Sequence, residues 1–286
     1  MSAKGQQLRH VLAFGLLALT CSSGQSGTVT QSVPREVQRA LAAELNAAQD
    51  QSHPMCYELH RSSPRATSTK KICETRDGAI ALLVALNDRP LTSIEAAKEQ
   101  TRLNSLLQDP KRQLHRKQTD DADMERVLKI LRALPYAFLY RPAGMEAGPN
   151  GPLERFSFVP NPSFDPPSLE TLPMTQMSGD LWIDPARGRI AKLDGHLHDD
   201  VNFGWGILGQ LDKGGWIRVE QAEVTGGQWR ITHFQLEMTG RIIVKSKVFS
   251  SDQRLTNFTP VSADLGYQQA IHMLLTGNSE THAQTR

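Results

Sequence analysis

The fold of this 286-residue chain is decided by the stretch Ile190–Asp199, whose sequence is IAKLDGHLHD. Apolar or small residues occupy every second position: Ala191, Leu193, Gly195 and Leu197. The positions between them are polar: Lys192, Asp194, His196 and His198. Because successive side chains of a β-strand point to opposite faces, this stretch predicts a strand with one dry face and one wet face.

The same alternation returns further along the chain. Beyond Gly215, apolar and charged residues alternate in the order Ile217, Arg218, Val219 and Glu220. The later apolar positions share one parity: Phe234, Leu236, Met238, Ile242 and Val244. Successive strands joined by tight turns predict an antiparallel sheet, and its apolar side must be covered.

Helices are predicted upstream of these strands. A capping serine, an early proline and an acid within Ser32–Glu36 predict a helix that runs to about Gln51. Residues 92–134 predict an inserted helical pair, with a helix start at Thr92 and a second helix over Asp121–Leu134. The basic stretch between them is interpreted as a connector or a solvated helix face, with contact to acidic lipid headgroups as the alternative. The predicted fold class is therefore α+β.

The first residues have the layout of a secretory signal. Lys4 and Arg9 precede the apolar run Val11–Thr20, and small residues follow it. The run has ten residues, whereas a membrane-spanning helix needs roughly 20. We therefore predict a cleaved signal over residues 1–24, one domain over 25–275 and a disordered tail over 276–286. Lipid attachment at Cys21 is the alternative to simple cleavage.

Two further cysteines lie in segments that resemble short strands around a polar turn. A hairpin centred on Ser63–Pro64 would place Cys56 and Cys73 opposite each other. We predict a disulfide there, as expected of an exported protein, with a stabilisation of about 3 kcal/mol. The alternative is two free thiols that pack as small apolar groups.

The charge balance argues against nucleic acid as a partner. The predicted signal holds two of the 32 Lys and Arg residues and none of the 30 Asp and Glu residues, which leaves 30 of each sign. A formally neutral chain has no electrostatic reason to bind nucleic acid. We expect a monomer.

Two motifs suggest chemistry but are weak. Gly204–Gly209 spells a dinucleotide-binding pattern, yet no helix can follow it, so we interpret its glycines as a bend. Phe203 and Trp205 would then lie near the mouth of a cavity. His196, His198 and Asp200 could form a hydrolytic zinc site, but they share a solvated face with charged residues. We predict no metal, no cofactor and, without any catalytic motif, no enzymatic activity.

The order of elements over Val33–Pro260, together with Gly179–Ile190 (GDLWIDPARGRI), resembles the LolA-like superfamily of outer-membrane lipoprotein-sorting and lipid-carrier proteins. Asp199–Gly214 (DDVNFGWGILGQLDKG) is similar to stretches in uncharacterised envelope proteins of this type. The resemblance implies a curved antiparallel half-barrel. Its N-terminal helix and internal helical pair would cover a concave apolar face that accepts acyl chains.

The functional prediction is an exported periplasmic or envelope-associated protein that binds a lipid or another apolar ligand in a half-barrel cavity; a lipid or lipoprotein carrier is one form of this function. Its predicted ligand-binding residues are Leu193, Leu197, Leu236, Met238, Ile242 and Val244, with Phe203 and Trp205 at the rim. The same residues could instead form an ordinary filled core. Two other functions stay open: an envelope protein-interaction module that uses Lys111–Lys117, and a hydrolase at the histidine pair.

Overall fold

The computed structural model describes residues 32–203, 209–242 and 245–284. The predicted signal sequence, Trp205 and Val244 lie outside the described residues, as does the side chain of Ile242. From Val33 onward the chain forms one compact unit. Among the described helices, none is both long enough and apolar enough to span a bilayer.

Four α-helices and thirteen strands make up the described part of the chain. The helices are α1 (Arg35–Gln49), α2 (Ser93–Leu107), α3 (Pro110–Ala137) and α4 (Tyr267–Gln284). The first eight strands are β1 (Met55–Ser63), β2 (Ala66–Cys73), β3 (Ile80–Leu86), β4 (Arg89–Pro90), β5 (Phe138–Gly148), β6 (Gly151–Pro160), β7 (Met177–Asp184) and β8 (Arg189–Leu197). The last five are β9 (Val201–Phe203), β10 (Gly209–Leu211), β11 (Trp216–Glu223), β12 (Trp229–Ile242) and β13 (Lys245–Pro260).

All of these strands belong to one antiparallel sheet. Its order is β4-β3-β2-β1-β13-β12-β11-β8-β7-β6-β5, and the short β9–β10 hairpin is attached through β10 to β12. The two end strands, β4 and β5, do not pair with each other, so the sheet is not closed into a barrel. The predicted α+β fold with an open antiparallel half-barrel is confirmed.

The pairing register assigns the two faces of the sheet. Leu193 lies opposite Val219, Val219 opposite Phe234, and Phe234 opposite Gln253. Directly opposite residues of an antiparallel pair point to the same side. We call the side that carries Leu193, Val219 and Phe234 the apolar face, and the other side the polar face.

The first of two buried cores lies on the apolar face over β5–β8. Val37, Ala40 and Leu41 follow the spacing of one helix face, and all three are buried against this end of the sheet. The last turns of α3 add Leu134 and Ala137 to the same core. Thus α1 and the end of α3 together cover one end of the apolar face.

The second core lies on the polar side at the other end of the sheet. Gln253 pairs with Arg61 of β1, so Cys56 and Cys73, which have the other parity in β1 and β2, point to the opposite face. Cys73 joins buried residues of β3, α2 and α4 in this core. The two cores therefore occupy opposite faces at opposite ends of the sheet.

The helices differ in extent from the sequence predictions. The helix start at Thr92 is confirmed by a capping box with Glu95. The second helix, predicted from Asp121, begins at Pro110, because the Asp109 side chain accepts a hydrogen bond from the Arg112 backbone N–H and proline suits the first turn. The basic stretch is therefore helical and is not a connector.

The strands and the C-terminus also extend beyond the predicted limits. β5 and β6 reach Gly148 and Gly151, and Pro142 is tolerated in β5 because this strand is at the sheet edge. α4 continues through Thr276, where the sequence predicted a disordered tail, and ends at Gln284. Burial of its first turns in the second core anchors the helix, and the polar residues extend it.

Candidate functional site

The middle of the apolar face carries apolar side chains that belong to neither buried core. Each of them is half-buried, and we call them the central strip: Leu59, Ile217, Val219, Phe234, Leu236, Met238, Phe249 and Leu255. Within the described residues, no helix packs extensively on β11, β12 or β13. The strip is therefore the part of the apolar face that the protein's own helices leave largely open.

Cross-strand pairs make the strip continuous. Ile217 lies opposite Leu236, and Met238 lies opposite Phe249. At the far end Leu59 lies opposite Leu255. The strip runs from β1 through β13, β12 and β11 to the edge of β8. Five neighbouring strands span roughly 19 Å at a spacing of about 4.8 Å.

Polar side chains interrupt the strip on β13. Ser251 is buried opposite Leu236, and Gln253 lies opposite Phe234. The Gln253 side-chain amide donates a hydrogen bond of 3.1 Å to the Ser251 hydroxyl. The apolar surface of β13 is thus restricted to positions on either side of this polar pair.

The structure brings most of the predicted ligand-binding residues to the apolar face. Leu236 and Met238 are half-buried members of the strip. Leu193 is half-buried where the strip meets the first core, and Leu197 is fully buried. Phe203 lies opposite Gly209, which lies opposite Ile242, so register places the half-buried Phe203 at one end of the same face.

Sequence reasoning missed the contributions of β1 and β13. Leu59 and Leu255 sit in strands whose flanking residues are mostly polar, so their alternation is weak. They join the strip because β1 pairs with β13, a contact between residues almost 200 positions apart in the sequence. Ile217, Val219 and Phe234 did carry a signal, because Ile217 and Val219 alternate with charged residues and Phe234 has the parity of Leu236 and Met238.

Two glycines on the apolar face make room for methionine side chains. A Cβ atom added to Gly195 would lie 3.0 Å from Met177 Sδ and 3.4 Å from Ile217 Cγ2. A Cβ atom added to Gly215 would lie 3.1 Å from Met238 Cγ. Methionine has a flexible and polarisable side chain, so this row of the strip can adjust to the shape of a bound group.

Over β8–β13 the polar face carries charged groups that are paired with their neighbours. Arg218 donates hydrogen bonds of 2.9 and 2.6 Å to Asp194. Asp252 has hydrogen-bond contacts of 2.9 Å with both His233 and Gln235. Burial favours the neutral carboxyl of Asp252, but these hydrogen bonds outweigh it and hold its pKa below the ordinary value. The contrast between the faces predicted for β8 is confirmed.

His196 of β8, His198 just beyond the strand and Asp200 do not assemble into a metal site. His196 is exposed and lies 3.5 Å from Asp194. The Asp200 carboxylate accepts hydrogen bonds from Gln210 and from the Lys213 backbone N–H, which fix it in the adjoining loop. Among the described residues, no group of three His, Cys, Asp or Glu side chains could hold a metal ion. No described geometry supports the hydrolase alternative.

The predicted disulfide is confirmed. Cys56 lies opposite Cys73 in the β1–β2 hairpin, and the two sulfurs are bonded with the Cα atoms 4.0 Å apart. The bridge lies on the polar side, where it borders an open groove of about 450 Å³. Met273 and Leu274 of α4 form another wall of this groove. None of the predicted ligand-binding residues lines it.

Tyr57 is half-buried near the start of β1 and also borders the groove beside the disulfide. The Tyr57 ring packs on Phe258 with a centroid distance of 5.5 Å. Burial raises the pKa of Tyr57 to about 12, and the nearby Glu74 carboxylate acts in the same direction. The phenol is therefore neutral at physiological pH, so Tyr57 adds no charge to this part of the sheet.

The protein is thus an open α+β half-barrel whose apolar strip is largely uncovered by the described helices. No protein family matches the sequence, and no curated protein matches it either. One similar solved structure is a proposed outer membrane lipoprotein-sorting protein domain from Vibrio parahaemolyticus. It has 10% identity and a TM-score of 0.29, with 77% of this chain and 90% of that chain covered.

A second similar structure is MucB in complex with MucA(peri). It has 9% identity and a TM-score of 0.21, with 78% of this chain and 100% of that chain covered. Similarity at this level is too weak to assign a family or a function. The resemblance to the LolA-like superfamily therefore stays a prediction.

Proposed function

We propose that this chain is an exported, non-enzymatic envelope protein that binds an acyl chain or another apolar ligand along the central strip. The observation that carries the proposal is that the strip lies on the apolar face, along the sheet between the strands of the first core and those of the second, and belongs to neither core. Its eight side chains are half-buried although they have the apolar character of a core. Contiguous apolar surface left open on a soluble protein marks a binding surface.

The chemistry of the strip favours an unbranched apolar ligand. The members of the strip are aliphatic or aromatic, and the polar interruption at Ser251 and Gln253 is small and internally hydrogen-bonded. Register also places Arg61 and Lys70 on this face, at its β1–β2 edge. An alkyl chain needs no directed polar contacts, so it fits the apolar centre of the strip.

The expected affinity follows from the area that can be covered. Complete burial of a dozen methylenes contributes about 10 kcal/mol at about 0.8 kcal/mol each. Loss of translational freedom and ordering oppose this by about 4 kcal/mol or more. A net value of about 6 kcal/mol corresponds to a Kd in the tens of micromolar. A ligand that is covered on one side only would bind more weakly.

Titration with a fluorescent fatty acid tests the proposal. We expect saturable binding to the purified protein, and a loss of about tenfold in affinity for the double variant Ile217→Gln/Leu236→Gln, because two apolar contacts are replaced by amides. Val248→Gln is the matched control, since Val248 is exposed and has the opposite parity to Phe249 on β13. Circular dichroism checks that the variants are folded.

Extraction of the purified protein followed by mass spectrometry provides an independent readout. We expect lipid to copurify with the unmodified protein and to be depleted in Ile217→Gln/Leu236→Gln. A protein that carries no lipid and does not bind the fatty acid would overturn the proposal. The same outcome would favour the protein-interaction alternative, in which side chains of a partner cover the strip.

A further inference from the structure

The first turns of α3 concentrate positive charge. Residues 110–119 contain four Lys and Arg residues and no Asp or Glu: Lys111, Arg112, Arg116 and Lys117. Acidic residues follow immediately at Asp120 and Asp121. We call residues 110–119 the basic end of α3. The net positive charge thus lies at one end of a 28-residue helix, because the later cations are balanced by acidic residues.

A buried glutamine fixes the orientation of the basic end. Gln113 is 2% exposed, and its side-chain amide donates a hydrogen bond of 2.8 Å to the Asp77 carbonyl. With Gln113 directed inward, helical spacing places Lys111, Leu114 and His115 on the outward side. All three are exposed, and Leu114 is 57% exposed. A large apolar side chain therefore stands among cations in solvent.

The positive charge is only partly compensated inside the protein. Lys117 is paired with Asp121 at 2.8 Å. In the described part of the chain, Lys111, Arg112 and Arg116 have no carboxylate within ion-pair distance. Burial lowers the pKa of Arg116, and the neighbouring Arg102 guanidinium acts in the same direction more strongly than Asp120 opposes it. The crowding of like charges favours an external anion at this position.

We propose that the basic end of α3 docks on a bilayer surface rich in anionic phospholipid. Phosphate headgroups complement the exposed Lys111 and Arg112, and Leu114 can enter the apolar layer beneath them. Lys111 faces outward, with Leu114 on one flank and Arg112 on the other, so the patch fits a surface that is anionic outside and apolar below. This docking surface goes beyond the proposed function and does not depend on ligand binding at the central strip.

Vesicle flotation of the purified protein tests this docking surface. We expect binding to vesicles of phosphatidylcholine mixed with phosphatidylglycerol, little binding to phosphatidylcholine alone, and release at high salt. Lys111→Gln/Arg112→Gln should lower the partition coefficient about 30-fold, at roughly fivefold for each cation removed. Leu114→Ser should lower it severalfold at both salt concentrations, because its contribution is apolar.

A second double variant serves as the charge-matched control. Arg65→Gln/Lys213→Gln also removes two exposed cations, but from turns outside α3, and it should bind vesicles like the unmodified protein. The proposal is overturned if both double variants lose binding equally, or if neutral vesicles bind as well as anionic ones. Fatty acid titration of Lys111→Gln/Arg112→Gln should be unchanged, so failure at this surface is distinguishable from failure at the central strip.

Discussion

Replacement of Glu44 should weaken the attachment of α1 to the sheet, and it should lower the free energy of unfolding more than replacement of any exposed residue in that helix. Glu44 is 8% exposed and accepts hydrogen bonds of 2.9 and 3.0 Å from Arg189, plus one of 3.1 Å from the Ile190 backbone N–H. The Arg189 guanidinium also lies 5.9 Å from the Trp229 ring centre. Glu44→Gln removes the carboxylate charge and leaves the Arg189 cation unpaired in a largely buried position.

Loss of one partner of a buried ion pair costs about 3–5 kcal/mol. The Arg189 side chain retains 18% exposure, so we expect a value near the lower limit, about 3 kcal/mol. For a protein of this size that lowers Tm by about 6–12 °C. Urea unfolding followed by tryptophan fluorescence measures the free energy of unfolding. Glu36→Gln is the control, because Glu36 is exposed on the same helix and its loss should change stability by less than about 0.5 kcal/mol.

A double replacement separates the contribution of the ion pair to stability from the contribution of side-chain packing. Glu44→Met/Arg189→Met leaves no unpaired charge, so it should be less destabilising than Glu44→Gln alone. If Glu44→Gln and Glu36→Gln unfolded at the same urea concentration, the buried pair would not be what holds α1 on β8.

Two further outcomes follow from the described contacts. Reduction of the Cys56–Cys73 bridge, or its removal in Cys56→Ser/Cys73→Ser, should lower the free energy of unfolding by about 3 kcal/mol. Added reductant should have no further effect on the double variant. An unchanged urea midpoint after reduction or replacement would contradict this prediction. Hydrogen bonds from Arg89 and the Thr92 cap lower the pKa of Glu95 from 4.5 to about 2. The stabilisation by this carboxylate is present above pH 4.5 and is lost as the pH falls through about 2. Glu95→Gln should therefore flatten this part of the acid unfolding curve measured by circular dichroism. An unaltered curve would show that the capping box does not contribute to stability.

The central strip stays open because the helices are divided between the two faces. α1 and the end of α3 cover β5–β8 on the apolar face, whereas α2 and α4 pack against β3 on the other side. If all four helices lay on the apolar face, they would fill its centre. The division is not evident from the helices themselves, because α2 and α3 are adjacent in the sequence and both have apolar residues at helical spacing.

The sequence by itself determined the local features of this protein. Alternation in β8, β11 and β12 follows from the two-residue repeat of a strand, so Leu193, Leu236 and Met238 could be assigned to one face without a structure. The helix start at Thr92 followed from its capping residues. The Cys56–Cys73 bridge followed from the symmetry of a hairpin. Each of these inferences depends on residues close together in the chain.

Tertiary structure alone decided which strands are neighbours and what each face packs against. Leu59 reaches the strip only because β1 pairs with β13. Sequence periodicity tells on which side of its own strand a residue lies, but it carries no information about the partner strand. Strand order is set by the total free energy of many distant contacts, so the open centre of the apolar face could be found only in the folded chain.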